Sequence, residues 1–451
     1  MSQSKNILGT MPMGRLIFTM SGPIMLSMLM QAVYNLVDSI YVARLGDNAF
    51  LALSYAYPIQ TLLIAFCVGT GVAFSATLSQ RLGARQMDQA SAVVLHGGSF
   101  YFGCWLLFFL FGLLGADAYL RACTDTPSVI TQGAAYLRVC CCLSFGVCTQ
   151  FPCERILQSS GRPAGFMIIQ GSGALINIIL DPILIFVLDM GVRGAAIATV
   201  LSQCVSGFLT VRCLLTSQEM HVKELHFSGH IFKKMMNIGI PAGIQGSLFS
   251  ISNFIIQASV NSFGAAVIAG NSACVSVEGL LYCPSDAVMQ AATTAVSQNV
   301  GAQEYERSRS VARWSMVLVV VLTGILTVPA VVFRRQVLGL YTSSGAELQA
   351  AFTRMMIVCM TYSLDGTMAA MSGVNRGLGY SMLSAAVTFV GACVFRIIWV
   401  YTVFASVGTL ESLYVSYPIS WILSTAAHIV CYYIIRKKPF KATLEAKAAA
   451  A

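Results

Sequence analysis

The chain has 451 residues, 57% of them hydrophobic and only 10% charged, with a formal net charge of +9. A soluble globular chain carries about 25% charged residues. The deficit, with a mean hydropathy of +0.74, excludes a large soluble domain and points to a chain that lies mostly within a bilayer.

Apolar runs of roughly 20 residues or more read as membrane helices. Twelve follow in chain order, near 15–40, 53–79, 91–115, 131–153, 164–188, 192–214, 234–260, 267–297, 311–333, 347–372, 381–405 and 411–435. With both termini inside, the internal ends hold 19 of the 27 basic residues and the external ends hold five, Arg44, Arg121, Arg193, Arg334 and Arg335. Arg138, Arg354 and Arg396 fall within helices, and Arg138 and Arg354 are expected to snorkel. The asymmetry is the positive-inside bias. The basic charge therefore reports topology, with both termini cytoplasmic, and the partner is the lipid bilayer rather than nucleic acid. The N-terminus is polar and runs straight into a full-length span, so no cleavable signal peptide is expected.

The first span carries Ser27, Gln31, Asn35 and Asp38 at steps of four, four and three. These share one face, and lipid cannot satisfy them, so the face should look inward. Glu154 and Arg155, at the inner end of the fourth span, read as a local charge pair. The fifth span contains "NIILDPILIF" (177–186). There Asn177 and Asp181 lie one turn apart, and Pro182 brings no N–H to the carbonyl of Ile178. An anionic oxygen, an amide oxygen and a freed carbonyl suit a hard cation or an exchangeable proton. Gln245, Asn253, Gln257 and Asn261 of the seventh span read as interhelical hydrogen-bonding glue. Glu278 and Asp286 in the eighth span share a face with Tyr282 and Gln290; a cationic substrate or a structural pairing fits them about equally. Asp365, mid-way along the tenth span, is a candidate second coupling or substrate site.

The stretch 214–233 contains His221, His226 and His230 and reads as a cytoplasmic connector rather than a metal site. None of the fifteen cysteines lies in a CxxC pattern; they read as small apolar residues of membrane helices. The end, "LEAKAAAA", is low in complexity.

The chain also repeats itself at one constant offset. Pro23 matches Pro241, Asn35 matches Asn253, Gly46 matches Gly264 and Gly161 matches Gly379, and "SQRLGA" (79–84) matches "SQNVGA" (297–302). Near the fourth and tenth spans the offset of the best match shortens by two, pairing "AAYLR" (134–138) with "AAFTR" (350–354), and so Arg138 with Arg354. Both halves begin and end on the same side, so the repeat is parallel. The expected organisation is an all-α membrane protein of two six-helix lobes around a central cleft. The N-lobe is 1–214, the connector 215–233, the C-lobe 234–438 and a disordered tail 439–451. No phosphate loop, GxSxG or HExxH is present, so the chain is not read as an enzyme. Active transport would have to run on an ion gradient.

With these features the chain resembles the multidrug and toxic compound extrusion (MATE) transporters over nearly its whole length. The likeness is carried by "YNLVDSIYVARLG" (34–46), "SQRLGA", "ERILQSSGRP" (154–163), "NIILDPILIF", "GVRGAAIAT" (191–199), "GIPAGIQ" (239–245), "SVEGLLYCPSDAV" (276–288) and "SQNVGA". The resemblance implies a bacterial-type, monomeric carrier of the plasma (inner) membrane without a cofactor. It would export amphipathic, often cationic organic compounds in exchange for H⁺ or Na⁺. It also implies that Asp38, Asn177, Asp181 and Thr199 form the coupling-cation site. A subgroup with a C-lobe Na⁺ site has a Glu where this chain has Phe249, while its Asp corresponds to Asp365. Half of that second pair is missing, which shifts coupling toward the N-lobe. The other functions open are a flippase for a lipid-linked saccharide, which calls for a more cationic cleft, and a channel or receptor.

Overall fold

The computed structural model describes residues 10–215, 228–342 and 344–436, and within these not the side chains of 240–251 and a few single positions. The connector with His221 and His226, the tail 439–451 and the side chains of Gln245 and Phe249 lie outside the described residues.

Among the described residues there is no strand. Among the described residues nine helices are long and apolar enough to cross a bilayer, and the pair Pro127–Cys142 and Phe145–Ser159, bent by 43°, makes a tenth if it is one broken span. The 33-residue helix Gly229–Asn261 and the interrupted run Gly345–Ile357, Cys359–Thr361 and Tyr362–Gly377 lie where the remaining two of the twelve expected spans fall. Long apolar side chains such as Leu107, Ile179, Val328 and Ile398 stay exposed, as the lipid-facing side of a spanning helix requires.

The internal repeat is written into the backbone. The helix Asp47–Gly83 has its counterpart in Ala265–Leu281 plus Cys283–Gly301, and Met87–Leu114 in Tyr305–Val332; each bound is displaced by the same offset that relates Pro23 to Pro241. Positive φ values recur at that offset too, at Gly46 and Gly264, at Arg85 and Gln303, and at Gly161 and Gly379. The two non-glycine positions mark turns forced into the left-handed region, which L-residues rarely enter. The eighth span breaks at Tyr282, with Pro284 in the first turn of its second piece. Proline is at home there, because an N–H in the first turn of a helix has no intrahelical acceptor to serve.

Contact register corrects one equivalence. Gln60 Nε2 donates to Tyr136 Oη at 2.9 Å, and Arg354 Nε donates to Glu278 Oε1 at 2.6 Å; both pairs are 76 residues apart. The counterpart of Arg354 is therefore Tyr136, at the common repeat offset, and not Arg138. The "AAYLR" and "AAFTR" likeness is two residues out of structural register. Snorkelling also fails for Arg354, which is buried and ion-paired. Arg138 instead meets Asp117 in an exposed pair.

The described chain divides into two compact units, one of 26–78 and 86–239, the other of 1–25, 79–85 and 240–451. The first has a core of Leu120, Tyr136, Leu137, Tyr101 and Phe108. The second has two, one built on Leu16, Ile17, Val288 and Val374 and one on Val260, Met355, Leu413 and Tyr414. Helices approach closely through small residues, as membrane bundles do. At Gly270 a Cβ would stand 2.2 Å from the backbone oxygen of Glu347. Gly270→Ala should therefore destabilise this unit by about 1–3 kcal/mol, read as a lowered thermal midpoint in detergent; an unchanged midpoint would show that the helices can spread without cost.

Candidate cation site

Three helices carry the acids and their neighbours, and these residues all lie within the unit of 26–78 and 86–239. Asp38 lies near the end of Met13–Ala43, just before the positive-φ turn at Gly46. Asn177 and Asp181 lie in the last turns of Pro163–Pro182. After Pro182 the helix widens into a π segment, Ile183–Val187, in which Leu188 N–H donates to Ile183 O. The missing N–H of Pro182 makes this loosening intelligible, and such π turns frequently mark functional sites. Thr199 comes from Gly191–Leu215, entered through positive-φ residues Asp189 and Gly191.

All four side chains are buried: Asp181 is 0% exposed, Asn177 1%, Thr199 8% and Asp38 9%. Asn177 Nδ2 faces Asp181 Oδ1 at 3.5 Å and Thr199 Oγ1 at 3.4 Å, long distances for hydrogen bonds. Asp38 is within electrostatic reach of Asp181. Asp38 Oδ1, Asn177 Oδ1 and Asp181 Oδ2 are buried with no hydrogen-bond donor. A buried acceptor left unmatched is costly, and a buried carboxylate more so. A set of unmatched oxygens carrying two acids is chemically a receptor for a proton or a small hard cation. The residues present therefore fit either ion.

Sequence reasoning missed the surrounding ring. Tyr34 is buried beside Gln31 and Gln203 and sits within electrostatic reach of both Asp38 and Asp181. Tyr136, held by Gln60, is within reach of Asp38. Tyr34 is four residues before Asp38 and Gln203 four after Thr199, so helical spacing could have found both. Of the predicted first-span stripe, Ser27 is buried and Gln31 faces Tyr34, but Asn35 is exposed.

The second half does not repeat this site. At the repeat offset stand Ile256, Phe395, Trp399 and Tyr417. Phe395 and Trp399 pack ring to ring at 5.7 Å. The acids of this half sit elsewhere. Glu278 receives both Nε and Nη2 of Arg354, whose Nη1 donates to Asn271 Oδ1 at 2.8 Å. The guanidinium also lies over the rings of Tyr414 and Tyr417. Glu278 is thus engaged in an ion pair, while Asp286 accepts from Gln290 at 2.6 Å. Asp365 is buried, its Oδ2 has no donor, and Arg396 is its nearest opposite charge in effect. Arg396 in turn donates to Ser420 and stacks on Tyr417 at 4.2 Å. Of the helix-seven glue, Gln257 donates to Asn261 and accepts from Asn271. In the other unit, Glu154 and Arg155 are joined through Gln158.

Folding also gathers Cys274, Cys359 and Glu278 within metal-ligating range, with the sulfurs 3.8 Å apart. The two cysteines are 85 residues apart in sequence, so no spacing motif could announce them. Both oxygens of Glu278 are held by Arg354, whose charge opposes a metal ion at that point.

A polytopic helical bundle built twice over, with unmatched buried carboxylates between the spans of one half, is the build of a membrane carrier. The MatE family model matches residues 23–183 and 241–402, and the starts of these segments are Pro23 and Pro241, the first matched pair of the internal repeat. The chain belongs to this family, the MATE transporters; it is a multi-pass membrane transporter of small molecules and not an enzyme. It is 27% identical over 372 residues to "Probable multidrug resistance protein YoeA" of Bacillus subtilis, covering 79% of this chain and 80% of the relative. It is 24% identical over 456 residues to "FAD transporter" of Shewanella oneidensis, covering 96% and 97%. Its fold superimposes on a solved outward-facing MATE family transporter with a TM-score of 0.91 at 21% identity, over 98% of this chain and all of the other. The fold class is accordingly twelve membrane helices in two lobes.

Proposed function

We propose that the chain is a secondary antiporter that exports amphipathic, often cationic organic compounds in exchange for H⁺ or Na⁺. The two lobes, 1–214 and 234–438, would alternate access to a central cleft. The protein would work as a monomer in the plasma (inner) membrane, with both termini cytoplasmic and with no nucleic-acid partner. The observation that carries this reading is the group of buried oxygens without donors on Asp38, Asn177 and Asp181. Two carboxylates in reach of each other repel when both are ionised. Binding one cation removes the repulsion and supplies the missing partner, so occupancy can bias which arrangement of the helices is favoured.

The names of the relatives support the multidrug side of this reading. The Shewanella oneidensis name adds a planar, anionic flavin nucleotide to the compounds worth testing. A flippase of lipid-linked saccharides would need free positive charge for a pyrophosphate. Arg354 offers none, because Glu278 neutralises it, and this favours the antiporter.

The test is transport by purified protein in proteoliposomes, with a fluorescent lipophilic cation and FAD as separate probes. The reading predicts uptake of at least one probe that needs an imposed pH or Na⁺ gradient and stops when an ionophore dissipates it. Flux indifferent to both gradients would remove coupling and leave a channel or uniporter.

A further inference from the structure

The duplicated turns "SQRLGA" and "SQNVGA" meet each other in a way that the sequence likeness alone does not require. A Cβ built on Gly83 would stand 2.0 Å from the backbone oxygen of Gln298, and a Cβ on Gly301 would stand 2.0 Å from the backbone oxygen of Gln80. The next two distances, 2.8 Å to the carbonyl carbon and 3.0 Å to Cα, are also the same on both sides. The contact is thus reciprocal: each glycine lies on the glutamine carbonyl of the other motif. Only glycine permits it, since no real Cβ comes so close to another heavy atom. Each glycine is the last residue of its helix, and each helix then turns through a positive-φ residue, Arg85 or Gln303.

The helix Asp47–Gly83 is continuous, yet it changes unit at residue 79: 79–85 group with 240–451, while the helix up to Leu78 belongs to the other unit. A third helix end joins the crossing, because the carbonyl of Gly377 accepts from Gln80 Nε2 at 3.4 Å and from Ser297 Oγ at 3.3 Å. The interaction open to a glycine Cα on a carbonyl is a Cα–H···O=C contact, which is weak individually. A joint made of such contacts holds backbones in close register without a deep energy well, which suits a contact that is made and broken repeatedly.

We infer that Gly83 and Gly301 form a reciprocal glycine-on-carbonyl latch that closes one end of the transporter and releases in each cycle. By the proposed topology this is the cytoplasmic end. The inference rests on the alternating-access reading above. Gly83 and Gly301 are positioning residues: they touch neither the cation site nor substrate, and they act by setting which side is open. Gly83→Ala or Gly301→Ala drives a methyl group into a backbone oxygen, so it disfavours the closed latch whatever is bound elsewhere.

The test places spin labels on Asp88→Cys and Glu306→Cys, repeat-related exposed positions just beyond the two turns, and reads their distance distribution in proteoliposomes. The unsubstituted chain, labelled in parallel, gives the background from the native cysteines. In the otherwise wild-type protein the distribution is expected to hold a short and a long component, whose ratio moves when the fluorescent lipophilic cation and an imposed pH or Na⁺ gradient are added. Gly83→Ala and Gly301→Ala are expected to deplete the short component and to slow transport on the order of tenfold, the scale of typical coupling free energies. A single distribution that ignores substrate and gradient would overturn the latch, and so would alanine variants that lower the thermal midpoint but leave the distribution unchanged. Should the alanine variants not fold, the double variant Gln80→Ala with Ser297→Ala, which removes the bonds to the Gly377 carbonyl without adding volume, is expected to deplete the short component instead, and an unchanged distribution would overturn the latch. Absence of gradient-driven flux in the wild-type chain, measured in the same vesicles, would instead defeat the antiporter reading.

Discussion

Asp181→Asn should cut gradient-driven export by about tenfold or more while leaving the protein as stable as the wild type or more so. Asparagine keeps the shape of the side chain, so packing around the 0% exposed position is preserved. It removes the charge, and with it both the repulsion from Asp38 and the electrostatic pull on a cation. Coupled flux is expected to fall by on the order of tenfold or more, corresponding to a lost coupling free energy of about 1–3 kcal/mol. Stability should not fall with it, because an unpaired buried charge is itself destabilising. Asp38→Asn should behave alike. The pairing of lost coupling with a steady or raised thermal midpoint separates this account from a structural one. A lowered midpoint with flux reduced in proportion would mean that Asp181 merely braces the kink at Pro182.

The opposite pattern is expected for Arg354→Met. Its guanidinium makes two hydrogen bonds to Glu278 and one to Asn271, with two aromatic rings beneath it. Removing it leaves the Glu278 carboxylate buried and unpaired, at a cost of about 3–5 kcal/mol. Thermal unfolding in detergent should show a midpoint lower by several degrees. The double variant Glu278→Leu with Arg354→Met should recover most of that loss, because apolar packing of similar volume commonly replaces a buried ion pair at little cost. The repeat-related pair is neutral, so Tyr136→Phe should cost only about 1 kcal/mol. A midpoint for Arg354→Met within a degree of wild type would mean that water reaches Glu278 and that the pair is not truly buried.

Most of the architecture was legible because bilayer physics leaves few options. Long apolar runs gave the spans, while the displacement of helix bounds by the constant repeat offset emerged from the structure. The polar interior was legible where it broke a local rule. Asp38, Asn177 and Asp181 were conspicuous because a charge or amide in an apolar span needs a reason and because i, i+4 spacing shows a shared face. Thr199 entered through family resemblance alone, since a threonine on a membrane helix breaks no rule. Tyr34 and Gln203 were overlooked although their spacing was visible, because neither residue is expensive to bury.

The remainder depended on contacts between distant segments. Nothing near Glu278 in sequence announces Arg354, and the pentapeptide likeness that paired Arg354 with Arg138 was misleading by two residues. Local similarity and contact register are different properties, and the equal sequence separation of Gln60–Tyr136 and Glu278–Arg354 settles the register. Cys274 and Cys359 meet only because the eighth and tenth spans pack together. The reciprocal seating of Gly83 and Gly301 was likewise invisible: the motif repeat showed two similar turns, not that each lies against the other.

The central claim is that export is driven by a cation held among Asp38, Asn177, Asp181 and Thr199. The most direct test is substrate flux at fixed membrane potential, with pH and Na⁺ varied separately, in the wild-type chain and in Asp38→Asn and Asp181→Asn. The account predicts that wild-type flux follows at least one of the two ions and that each variant loses that dependence. Ion-dependent export that persists in both variants would contradict it.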